Sequence, residues 1–129
     1  MRILSSTLIA LTLTLTAPVV AYAGTSETTG TFTGASEHIT TGGVTVVKNA
    51  DGSATVTLAD DFSLDGAPDP RVGFGKDGKY VDGTDVGLLK NLKGGQSFTV
   101  PASINVDDFN EVYIWCLKFA VPLGVAELR

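Results

Sequence analysis

Apolar and hydroxyl residues alternate with period two through Ala54-Thr55-Val56-Thr57-Leu58, the pattern of a half-buried β-strand. Val44-Thr45-Val46-Val47-Lys48 precedes it, and Asn49-Ala50-Asp51-Gly52 between them supplies turn residues, because Asp-Gly accepts positive φ at low cost. The two runs predict a hairpin. Gln96-Ser97-Phe98-Thr99-Val100 alternates in the same way and stops at Pro101. Gly30 to Gly34 around Phe32, Phe62 with Leu64, and Arg71-Val72-Gly73-Phe74-Gly75 predict further strands. Val86 to Leu92 fits either a short strand or one helical turn, and Val106 to Asn110 reads as a loop or single turn.

Val112 to Val121 is the run richest in β-formers. Val112, Ile114 and Cys116 fall on one face of it, and Tyr113, Trp115, Leu117 and Phe119 on the other. Apolar residues on both faces predict a central strand covered on both sides. Pro122 and Gly124 then separate it from a closing strand, Val125 to Leu128. About eight short strands with Gly, Asp, Asn and Pro between them imply an all-β domain, an antiparallel β-sandwich or small barrel.

The first residues follow a different pattern. Met1-Arg2 gives a positive start, Ile3 to Val20 carries no charge, and Ala21-Tyr22-Ala23 offers the small side chains a signal peptidase admits. Residues 1–23 are therefore expected to be a signal peptide cleaved before Gly24, with 24–30 a flexible lead-in and 31–129 the β domain. The serines and threonines of this segment, with Pro18 near its end, argue against a retained membrane anchor. The expected location is periplasmic or secreted, without stable membrane insertion after cleavage.

A formal net charge of −5 sets the chain against nucleic acid and anionic lipid, whose phosphates would repel it. The scattered aspartates lack the ligand spacing of a calcium loop, and Gly73-Phe74-Gly75 has no following helix to cradle a phosphate. No metal site is expected from them.

The remaining chemistry centres on Cys116, the single cysteine. An exported protein usually pairs its cysteines, and this thiol has no partner in its own chain. It is therefore apolar filler in a strand, a link to another molecule, or a redox or ligating sulfur. Lys118, on the same face of an uninterrupted strand at roughly 7 Å, would bias a thiolate. His38 is the only histidine and the only other borderline-soft ligand once Met1 is removed. Cys-His hydrolysis has no supporting local signature in Asp108 or Asn110, so no turnover site is visible.

Together these segments resemble the DM-thirteen domain, a small extracytoplasmic all-β family proposed to act in electron transfer. The resemblance rests on Gly30-Thr31-Phe32, His38, Gly43-Val44-Thr45-Val46, Leu58-Ala59-Asp60-Asp61-Phe62 and Ala67-Pro68-Asp69-Pro70-Arg71-Val72. It continues through Leu89-Lys90-Asn91-Leu92-Lys93-Gly94, Gln96 and Val112-Tyr113-Ile114-Trp115-Cys116, with Phe119-Ala120-Val121, Gly124 and Ala126 behind. Trp115-Cys116 is its most specific step. Gly73-Phe74-Gly75 departs from it, since the family tends to carry a bulkier strand there. The resemblance implies a redox role for Cys116, as a free thiol or as the ligand of a prosthetic group such as haem, with His38 a candidate second ligand and a redox protein as partner. The alternative is an extracytoplasmic binding or adhesion module in which Cys116 is buried core and the loops from Asp65 to Asp85 meet the partner.

Overall fold

A computed structural model describes residues 12–18 and 25–129. The positive start and the Ala21-Tyr22-Ala23 cleavage motif lie outside the described residues. From Ser26 onward the chain forms β1 (Ser26–Gly34), β2 (Thr40–Thr41), β3 (Gly43–Lys48), β4 (Ala54–Leu58), β5 (Ser63–Leu64) and β6 (Pro70–Lys76). There follow β7 (Lys79–Tyr80), β8 (Gly87–Leu88), β9 (Gln96–Val100), a 3-10 turn at Val106–Asp108, β10 (Glu111–Cys116) and β11 (Val121–Glu127).

The expected β3–β4 hairpin forms, with Val46 opposite Val56 and the alternating valines directed inward. All the larger strands join one antiparallel sheet in the order β7-β6-β10-β11-β1-β3-β4-β9, with β8 also on β6. β1 joins the halves: Ser26 to Thr31 pairs with β3, while Phe32 to Gly34 pairs with β11. The sheet curls at this strand, so that Val44, Val56 and Leu58 from one half share a single core with Val72, Phe74, Val112 and Ile114 from the other. β2 and β5 make a separate two-stranded ladder whose Thr40 and Leu64 are buried. An all-β half-barrel is the result.

Three local readings change. Residues 26–30, expected as lead-in, are strand: their threonines and serine take extended backbone and complete the open edge of β3. Val86 to Leu92 resolves into the two-residue β8 and a loop. The long run from Val112 breaks after Cys116. Residues 117–120 form the turn of a β10–β11 hairpin, so Leu117 and Phe119 are exposed rather than strand residues. Lys118 then lies in that turn, with its Nζ 5.5 Å from the Phe119 ring centroid, and the same-face relation to Cys116 expected of a continuous strand is lost. Pro122 and Gly124 fall inside β11, beside a register shift between Ile114 and Trp115. A bulge tolerates both, since it leaves ladder positions unpaired.

Candidate functional site

Cys116 closes β10, opposite Pro70 on β6 and Val121 on β11. The strand alternates as expected: Val112, Ile114 and Cys116 point into the common core. The sulfur is unpaired and the residue only 1% exposed. Its fit to haem can be judged from that packing. A macrocycle needs an open slot at its ligand, and here Cys116 is buried in the cluster of apolar core side chains. Three surface grooves of the domain are lined by residues around Thr29, Ser26 and Asn49, none by Cys116 or His38. The site does not fit haem ligation in this conformation.

His38 lies in the loop between β1 and β2. Its amide bonds to Ala35 O across Ser36 and Glu37, whose φ angles are +53° and +66°. Two left-handed residues in succession make a type I′ turn, costly without glycine or asparagine. Asp65 anchors this turn from outside: its Oδ1 lies 2.9 Å from His38 Nδ1 and its Oδ2 accepts from Ile39 N at 3.0 Å. Those bonds, the Ile39 amide first and His38 second, hold the Asp65 carboxyl below its ordinary value of 3.8.

A carboxyl whose pKa falls on folding stabilises the native state above its unfolded value, and that contribution disappears as pH drops through the native value. Acidification below about pH 3.8 is therefore expected to release the His38 loop. The protection of the Ile39 amide against hydrogen exchange, taken relative to its intrinsic rate at each pH, should fall there in the wild type. In Asp65→Asn the exchange should already be fast at neutral pH and lack that acid step; a retained acid step would remove Asp65 as its origin.

Asp65 begins the loop between β5 and β6, and Asp69 ends it. Asp69 O accepts from Leu117 N at 3.1 Å, immediately after Cys116. The two expected site residues thus both border this loop, His38 through Asp65 and Cys116 through Asp69. No hydrogen bond joins them, and among the described residues no group of three or more His, Cys, Asp and Glu is placed to hold a metal ion.

On the outer face of the same strands stands a cluster that sequence reading missed in part. Tyr80 and Trp115 stack with ring centroids 4.1 Å apart and planes 8° apart; Tyr113 meets Tyr80 edge-on at 5.8 Å. Tyr113 and Trp115 were expected on this face, but Tyr80 follows the charged stretch Lys76-Asp77-Gly78-Lys79 with no apolar alternation leading up to it. Gly73 and Gly75 make the room. A Cβ at Gly73 would lie 2.7 Å from the Tyr80 ring, and one at Gly75 would strike the Tyr113 ring and Lys79 O. Two glycines at i and i+2 in a strand are the readable signal, since they mark a close approach on one face. Burial raises the phenol pKa of both Tyr80 and Tyr113, so both rings carry their protons at neutral pH.

Arg71, beside Trp115 in the ladder, bonds Asp69 Oδ1 at 2.9 Å and lies 3.7 Å from Asp85 Oδ2. The Asp69 bond, then the charges of Asp69 and Asp85, raise its pKa against the opposing effect of burial. Arg71 in this way fastens the loop before β6 to the loop between β7 and β8 at the Cys116 end.

No curated protein and no solved structure matches the chain. A family model described as "Electron transfer DM13" matches residues 31–128, which includes every strand after the start of β1, the His38 loop, the glycine socket and the Trp115-Cys116 step. With that span covered, the chain belongs to the DM13 electron-transfer domain family.

Proposed function

We propose that the protein is exported and works outside the cytosol as an electron-transfer module whose redox centre is Cys116. The observation that carries this reading is the family match over residues 31–128, joined to a single cysteine at the end of the central strand. A sulfur exposed by only 1% is poorly placed for direct thiol exchange, which needs attack at the sulfur itself. Electrons would reach it through protein. His38 is proposed as a positioning residue that fixes the loop on Asp65, the start of the segment that Cys116 adjoins.

Exposed apolar side chains support a partner protein at this end. Ile39, Leu88, Leu92, Leu117 and Phe119 are exposed, and the first four bond to or pair with residues between Leu64 and Arg71; Phe119 shares the turn of Leu117. A redox partner burying them would come close to Cys116. Among the described residues no helix is long and apolar enough to cross a membrane.

Protein-film voltammetry of the folded chain tests the reading. A wave present in the wild type and missing in Cys116→Ala is expected; its persistence in the variant would remove Cys116 as the centre. The binding-module reading draws on the same burial. It gains if the wild type shows no wave. On either reading the thiol should stay unreactive toward a polar disulfide reagent until denaturant is added, then titrate as one per chain.

A further inference from the structure

The chain holds one cysteine, one methionine, one tryptophan and three tyrosines. Setting aside Met1 and Tyr22 in the expected signal segment, every remaining side chain that gives up one electron readily belongs to β10 or to the stack resting on it: Cys116, Trp115, Tyr113 and Tyr80. The phenylalanines are distributed otherwise. Phe32, Phe62, Phe74 and Phe98 are in the core, Phe109 packs against it, and Phe119 is in the turn. Covering Gly73 and Gly75 requires only rings; the phenol at position 80 adds a hydrogen bond with Thr84, but phenylalanine would serve at 113 and 115. The chain instead places its phenols and its indole there, parallel at 4.1 Å in the Tyr80–Trp115 pair, with both of these rings part-exposed.

We propose that Tyr80, Trp115 and Tyr113 form a one-electron relay on the outer face of the sheet, through which a partner's electron carrier exchanges electrons with strand β10. The proposal rests on the electron-transfer reading and names the route it uses. The partner is a protein with a one-electron metal centre. In its oxidised state that centre takes one electron from the stacked pair and is reduced by one; Tyr80 is left as a tyrosyl radical, and its phenolic proton passes to water at its exposed edge. Refilling draws one electron from Cys116 across the Trp115–Cys116 peptide. The thiol becomes a thiyl, and its proton is lost when local opening of the adjoining exposed 117–120 turn admits water to the otherwise dry sulfur, while the phenol regains a proton from water.

Flash-generated tris(bipyridine)ruthenium(III), a one-electron oxidant, tests this on the full chain carrying Tyr22→Phe. Transient absorption and electron paramagnetic resonance should show a tyrosyl radical. Trp115→Phe should slow its formation severalfold. Tyr80→Phe, which keeps the ring and the stack, should lose most of the tyrosyl signal and leave a longer-lived tryptophanyl radical. Near-ultraviolet circular dichroism and melting temperature identify any variant that fails to fold; Tyr80→Phe then carries the test, because it removes a single oxygen. Unchanged radical yield and rate in both folded variants would overturn the relay and reduce the cluster to packing. Cys116→Ala separates the two readings: a lengthened radical lifetime supports both, whereas an unchanged lifetime beside intact Trp115 and Tyr80 effects overturns the Cys116 assignment and leaves the relay standing.

Discussion

Replacing Gly75 by alanine is expected to destabilise the protein by about 3 kcal/mol, the upper part of the range for overpacking a filled site. For a domain of this size that corresponds to a melting temperature lower by roughly 10–20 °C. The reason lies in what the added Cβ would meet. Lys79 O is 2.6 Å away and the Tyr113 ring is nearer still. The ring could swing outward, but Lys79 O is backbone held by the β6–β7 ladder, where Lys79 pairs with Lys76. Relief therefore requires parting β7 from β6, which carries Tyr80 off Trp115 and opens the outer face. Gly43→Ala is the control. Its Cβ would find Ala59 at 3.5 Å, ordinary contact, and the change should be small. Thermal unfolding of the two variants side by side decides the matter. Equal effects would mean that the glycine socket has no role in holding the aromatic cluster.

The second large effect concerns Cys116, and it is read on two scales. Cys116→Ser places a hydroxyl where a sulfur now sits among apolar side chains. A buried donor without an acceptor costs about 1–3 kcal/mol. Cys116→Ala leaves a small void and no polar group, and is expected to cost less, about 1 kcal/mol. The order is diagnostic: alanine better tolerated than serine marks the position as dry interior. Redox activity follows a different order. Both variants lose the sulfur, so both should lose the voltammetric wave whatever their stability. Loss of the wave in alanine, at nearly native stability, separates a chemical role from a packing role. If serine proves as stable as alanine, the sulfur meets water or a hydrogen-bond partner, and the apolar setting described for it is wrong.

The two sites share an origin in strand periodicity. β10 presents alternate residues to opposite faces, so one six-residue strand supplies the buried sulfur at Cys116 and the outer rings at Tyr113 and Trp115. The adjacent residues Trp115 and Cys116 therefore stand on opposite sides of the same sheet. This geometry allows a surface group and an interior group to be joined by a single peptide.

The hairpin β3–β4, the strands β6 and β9, and the grouping of Val112, Ile114 and Cys116 on one face were all legible in the chain, because each depends on period-two patterning and nearby turn residues. Apolar residues on both faces predicted cover on both, so which face meets the common core was not. The departure of Gly73-Phe74-Gly75 from the family pattern was visible too, though its purpose was not. That purpose depends on Tyr80, which reaches Gly73 only after the Lys76–Lys79 turn folds β7 back onto β6. Nor could His38 be placed. Its partner Asp65 is 27 residues away, and their meeting depends on β2 pairing with β5.

By itself the sequence determined an all-β domain with alternating strands, a lone thiol on the face of its central strand opposite Tyr113 and Trp115, and membership in an electron-transfer family that the Trp-Cys step signals. These follow from local rules: side-chain alternation, turn chemistry and the count of one residue type. Only the tertiary structure decided that the run after Cys116 turns back as a hairpin, that β1 bridges both halves of the curled sheet, and that Tyr80 comes to rest on Trp115. Each of these depends on contacts between segments far apart in the chain, where the energy of burying a surface exists only once the opposing surface has arrived.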